Sequence, residues 1–85
     1  MSDESDWTER DNALRRTLSF PSFPAAISFV NRVAELAEQE NHHPDILVQY
    51  KDVTISWTTH SAGGITDRDR RLAALTDALV DGSDT

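Results

Sequence analysis

The stretch Ile46-Leu47-Val48-Gln49-Tyr50-Lys51-Asp52-Val53-Thr54-Ile55-Ser56-Trp57-Thr58 decides the fold. Ile46, Val48 and Tyr50 alternate with Leu47 and Gln49, and Val53, Ile55 and Trp57 alternate with Thr54, Ser56 and Thr58. Period-2 alternation on both sides of a polar pair marks an antiparallel hairpin with one buried face. A two-residue turn at Lys51-Asp52 would pair Tyr50 with Val53, Val48 with Ile55 and Ile46 with Trp57, all on that face. Continued to the open end, this register brings His43 near His60.

Upstream, Pro44 forbids a helix from running into the hairpin, because it lacks an N–H and biases His43 away from helical geometry. Before it, Ser22 and Pro24 read as an N-cap and a first-turn proline. Ile27, Val30, Ala34 and Ala37 follow at helical spacing, and Phe23, Phe29, Val33 and Leu36 broaden the stripe. One helix over about Phe23 to Glu40 results, with more apolar surface than a single sheet face needs, which fits a second contact with another subunit. Ala13 to Ser19 reads as a strand paired through Arg10-Asp11-Asn12 with a rudimentary one near Trp7. Downstream, Gly63-Gly64 is a flexible connection, and Thr66-x-x-Asp69 has capping-box spacing before a helix with Leu72, Leu75 and Leu79 inward. The expected fold is α+β: a four-stranded antiparallel sheet with helices packed on one face, in the order β-β-α-β-β-α.

The chain has 85 residues and a net charge of −7 from 15 acidic and 8 basic side chains. That length makes one domain of modest core, for which oligomerisation is a natural support. Residues 1–6 and 82–85 are small, polar and acidic and are expected to be disordered, leaving 7–81 as the domain. With no Cys, disulfides, thiolate nucleophiles and Cys-based zinc sites are excluded. No segment has the character of a signal peptide or membrane span, so a cytoplasmic location is expected. The acidic balance opposes binding to nucleic acid or anionic membranes. Ten Asp and a single Lys, Lys51, fit a surface adapted to high salt.

All three histidines fall at one predicted end of the molecule: His42 and His43 where the long helix stops, and His60 where the last strand stops. Asp69 lies on the first turn of the last helix. Glu38 precedes His42 by four residues and shares its helix face if the helix persists. A carboxylate beside an imidazole raises the imidazole pKa, and a helix N-terminus keeps Asp69 ionised. Imidazoles suit neutral-pH proton transfer. Taken singly, each residue has a plainer role: His42 or His43 as a cation at a helix C-terminus, His60 as a strand-end residue, Asp69 as a helix cap, Trp7 and Tyr50 as core or edge aromatics. A metal site is disfavoured by the absence of His-x-x-x-His and of Cys pairs, and no nucleophile motif or phosphate loop is present.

The run Glu38-x-x-x-His42-His43-Pro44, then five residues to Tyr50, nine to His60 and eight to Asp69, resembles the motif of the pterin-4a-carbinolamine dehydratases. Phe20-Pro21-Ser22-Phe23 with Ala26, Phe29 and Val33 is similar to the family's Phe-x-Phe entry to its long helix. His60 to Asp69, followed by Leu72-Ala73, is similar to its Thr-His, Gly-Leu-Thr, Asp, Leu-Ala segment. Trp7 falls near the tryptophan before its first hairpin. The resemblance implies dehydration of 4a-hydroxytetrahydrobiopterin to quinonoid dihydrobiopterin, without metal or cofactor, the pterin being the substrate. It implies His42 and His60 as the proton-transfer pair, His43 as the group holding and polarising the pterin, and Asp69 and Glu38 as the groups orienting the imidazoles. Pro44, Thr59, Ser61 and Ala62 would line the pterin site through main-chain groups, with Trp7 also on the substrate side. A homo-oligomer, dimer or tetramer, is implied, although this chain has only six residues where the family commonly has an extra helix. Relatives that serve as dimerisation cofactors or assembly factors make a non-catalytic binding module the alternative reading.

Overall fold

Ser22 opens the long helix: its extended backbone and its Oγ, which accepts the Ala25 N–H at 3.2 Å, cap a first turn that tolerates Pro24. In the computed structural model, which describes residues 7–83, the elements are β1 (Thr8–Arg10), β2 (Ala13–Ser19), α1 (Phe23–Glu40), β3 (Asp45–Gln49), β4 (Asp52–Trp57) and α2 (Asp67–Ser83). A single 3₁₀ turn, His60–Ala62, lies between β4 and α2. The sheet is antiparallel throughout, in the order β1-β2-β4-β3. The fold is the expected α+β arrangement. The expected disorder of 1–6 lies outside the described residues, as do residues 84 and 85, and α2 continues through Gly82 and Ser83, beyond the expected end of the domain at 81.

β4 is the central strand of the core, with Val53, Ile55 and Trp57 all at 0% exposure. Leu14 and Leu18 of β2 flank it, and Phe29, Val33 and Leu72 cover it from the helices. The buried line of α1 is Ala26, Phe29, Val33, Leu36 and Ala37. This corrects the expected stripe: Ile27 and Val30 are half-buried and Ala34 is exposed. Both lines have helical spacing, and the line that carries Phe29 and Leu36, with Val33 between them, takes the core because together it removes more apolar surface from water. On α2, Leu72 is buried as expected, but Leu75 and Leu79 are only half-buried, and the inward positions are completed by Ala73 and Thr76. Truncating Phe29, 1% exposed and 5.0 Å from the Phe20 ring, should cost about 3–5 kcal/mol, read as a lowered urea midpoint at unchanged slope.

The β3–β4 hairpin turns one residue earlier than its alternation suggests. Gln49 faces Asp52, Val48 faces Val53 and Ile46 faces Ile55, so the turn residues are Tyr50-Lys51 and not Lys51-Asp52. The two registers differ by two in pairing, which leaves every side chain on the same face, so the apolar pattern does not distinguish them. Asp52 gains by the observed choice: it joins β4 opposite Ser19, whose hydroxyl donates to Asp52 Oδ1 at 2.7 Å. Tyr50 is thereby displaced from the buried face to a turn position with φ 58° and 72% exposure. The ladder ends at Asp45 opposite Ser56, a register that, extended, sets His43 level with Thr58, while His60 leaves the sheet in the 3₁₀ turn.

Candidate active site

The C-terminus of α1 delivers the histidines. Asn41 takes the left-handed conformation, its N–H meets Glu38 O at 3.3 Å, and the His42 N–H reaches back to Ala37 O at 3.0 Å. This Schellman-type closure ends the helix before His42, so His42 does not share a helix face with Glu38. The cation at this helix end, expected to be His42 or His43, is Arg68 of α2, whose Nη2 donates to Glu40 O at 2.9 Å.

His42 instead turns toward α2. Its Nε2 lies 2.8 Å from Asp69 Oδ1, its side chain is 10% exposed, and its ring stacks on the Trp57 indole, centroids 5.9 Å apart and planes 8° from parallel. Asp69 is wholly buried. Its Oδ2 accepts the Thr66 N–H at 2.8 Å, half of the expected capping box, and the Thr59 hydroxyl at 2.7 Å. Burial pushes the Asp69 carboxyl up, but hydrogen bonds from the Thr66 N–H, the Thr59 hydroxyl and His42 outweigh it and hold the group below its ordinary value. The carboxylate is therefore ionised at neutral pH and has only acceptors to offer. His42 must then donate through Nε2, which leaves the lone pair of the neutral ring on Nδ1.

The other sequence-derived residues divide. Glu38 pairs with His43, Oε2 to Nε2 at 2.7 Å, and the pair is open to solvent, 77% and 60% exposed. Its partner is thus His43 where helical spacing points to His42. His60 is exposed and its imidazole has no hydrogen-bond partner among the described residues, and Ser61 and Ala62 are exposed beside it in the same turn. Thr59, one residue before His60, is buried, and Pro44 is half-buried. Trp7 is not brought into this group: its Nε1 donates to both Asp77 oxygens at 3.1 Å, about 12 Å along α2 from Asp69. There it lines a groove with Glu9, Leu14, Arg70 and Ala73 that contains no histidine. Among the described residues, no group of three His, Asp or Glu side chains is arranged to hold a metal ion. No helix among them is long and apolar enough to cross a membrane.

A family model described as pterin 4 alpha carbinolamine dehydratase matches residues 1–79. The chain belongs to that family. Among its relatives, a Roseiflexus castenholzii protein provisionally named a pterin-4-alpha-carbinolamine dehydratase is 48% identical over 80 residues, covering 94% of this chain and 86% of that protein. A Nocardia farcinica protein with the same provisional name is 49% identical, covering 94% and 84%. The crystal structure of a transcriptional coactivator/pterin dehydratase from Brucella melitensis superposes with a TM-score of 0.82 at 32% identity, over 87% of this chain and 81% of that one. A pterin dehydratase-like RuBisCO assembly factor of the alpha-carboxysome shares the fold, with a TM-score of 0.71 at 24% identity over 86% and 84%.

In this pterin-4a-carbinolamine dehydratase family member, the support beneath His42 includes residues that spacing did not reveal. Trp57 is the surface on which the imidazole lies, and its own Nε1 donates to Thr76 Oγ1 at 3.1 Å. Thr76 in turn donates to Leu72 O at 2.7 Å. A signal existed: a buried tryptophan needs an acceptor, and Thr76 shares the inward face of α2 with Leu72 and Ala73.

Proposed function

We propose that this chain is a hydro-lyase that dehydrates 4a-hydroxytetrahydrobiopterin, or a related 4a-hydroxypterin, to the quinonoid dihydropterin. In this reaction the N5–H and C4a–O bonds break, the C4a=N5 double bond forms, and water leaves. The work is paired proton transfer and asks for one base and one acid. His42 serves as the base through Nδ1, and His60, exposed one residue beyond Thr59, hands a proton to the departing hydroxyl. His43, with Glu38 behind it, holds and polarises the pterin, and main-chain groups of Pro44 and of Thr59 to Ala62 line the site. The observation that carries this reading is the ionised, wholly buried Asp69 holding His42 at Nε2. Family membership supports the substrate class. No cofactor enters the proposal, which takes the pterin as the partner.

The test is decay of freshly generated 4a-hydroxytetrahydropterin with purified protein, followed by absorbance in stopped flow. Acceleration over buffer, insensitive to a chelator, is expected. Folded protein that binds the pterin without accelerating its decay would give the site to a non-catalytic binding module, and activity lost on chelation would give it to a metal. A homo-oligomer is part of the same proposal. Phe23, 47% exposed, and half-buried Ile27 and Val30 leave apolar surface on α1 for a second subunit, and sedimentation of the full chain reads its order.

A further inference from the structure

We propose that Thr59 is a positioning residue for both proton-transfer histidines: its hydroxyl on Asp69 Oδ2 holds the carboxylate that orients His42, and its clamped main chain ties the His60 turn to that carboxylate. The inference rests on the dehydratase reading for its kinetic arm only. Thr59 has one hydroxyl hydrogen, and the 2.7 Å contact to an ionised carboxylate claims it. The Thr66 hydroxyl, 2.8 Å from Thr59 Oγ1, is then the donor in that pair. The hydrogens run one way, Thr66 to Thr59 to Asp69, and meet the His42 Nε2–H arriving from the other side. The Thr66 N–H on Asp69 is a main-chain group that any non-proline residue would supply, and the Thr66 hydroxyl stands farther from Oδ2, at 3.3 Å, so the Thr59 hydroxyl at 2.7 Å is the closer side-chain donor to that oxygen.

The main chain of Thr59 is equally tied. Its N–H donates to Gly64 O at 3.0 Å, and its carbonyl accepts the Gly64 N–H at 3.2 Å and the Ala62 N–H at 3.0 Å. Gly63, at φ 77°, lets the chain close this small ring around His60, Ser61 and Ala62. Within that ring, no other side chain has a hydrogen bond to the His42–Asp69 pair. A methyl in place of the hydroxyl leaves the apolar packing and the main-chain bonds of the turn in place but removes the link between that turn and the carboxylate.

Thr59→Val and Thr59→Ser are compared in the full chain. Thr59→Val is expected to lower kcat about ten- to a hundredfold with little change in KM, since misplacement of reacting groups acts on the transition state. Thr59→Ser should restore most of the rate. The ¹⁵N shifts of the His42 imidazole are the readout that does not depend on activity: an Nε2–H tautomer in the wild type and in Thr59→Ser, and a mixture in Thr59→Val. If Thr59→Val does not fold, Thr59→Ala takes its place with the same expected readouts. A folded variant without the hydroxyl that keeps both the wild-type rate and the single tautomer would overturn the inference. Should the wild type show no dehydratase activity, the tautomer comparison alone decides it.

Discussion

His42→Ala is expected to lower the rate of 4a-hydroxypterin dehydration by about 10²–10⁴-fold, the range for loss of a positioned acid–base group. Among the described residues, His42 is the one imidazole fixed from two directions, by Asp69 at its edge and Trp57 at its face. The substitution also leaves Asp69 Oδ1 without its donor in a wholly buried position, so a stability loss of about 1–3 kcal/mol should accompany it. Activity is therefore compared at a denaturant-free temperature well below each variant's melting point, with circular dichroism confirming the fold. His43→Ala provides the contrast. Its pair with Glu38 is largely solvated, and such pairs contribute about 0–1 kcal/mol, so folding should be unaffected while KM rises. Equal losses of rate for the two variants would remove His42 from its assigned role.

The elements and their order were legible because each is written in local chemistry. Ser22 and Pro24 announce α1, Pro44 forbids its continuation, and alternation through Ile46 to Trp57 is unambiguous in period. What escaped was the choice between arrangements that local chemistry makes equivalent. The hairpin could turn at either of two residue pairs without changing a face, and the contacts that favour the observed one, Ser19 with Asp52 and the Phe20 N–H with Lys51 O, come from a part of the chain more than 30 residues earlier. The line of α1 that faces the sheet is a tertiary decision between two apolar stripes. At the site, the motif residues were legible as a set, but their pairing depended on where the helix stopped. Four-residue spacing joins Glu38 to His42 only on a continuing helix, and Asn41 in the left-handed conformation ends it, sending His42 to Asp69 and His43 to Glu38.

Asp69→Asn should separate charge from shape, and its largest effect is on the tautomer. The amide keeps the carboxylate's outline but replaces one acceptor with a donor. At the Oδ2 position an NH₂ would face the Thr66 N–H, a main-chain donor that cannot turn, so the NH₂ is directed to His42. His42 must then accept at Nε2 and carry its hydrogen on Nδ1, the atom proposed as the base. A loss on the order of 10³-fold in kcat is expected from the inverted tautomer, with the ¹⁵N shifts of His42 exchanging their assignments. The stability consequence has a definite sign. The folded-state carboxyl titrates below its ordinary value of 3.8, so its ionised form stabilises the fold fully above that value. This contribution is lost as the pH falls below 3.8 through the depressed folded-state value. The asparagine variant has no such group to titrate. Urea titrations from about pH 5 downward should therefore find the wild type's advantage over Asp69→Asn shrinking through the acid range. An advantage that stayed constant or grew there would mean that Asp69 is not held ionised by its partners, and the tautomer assigned to His42 would fall with it.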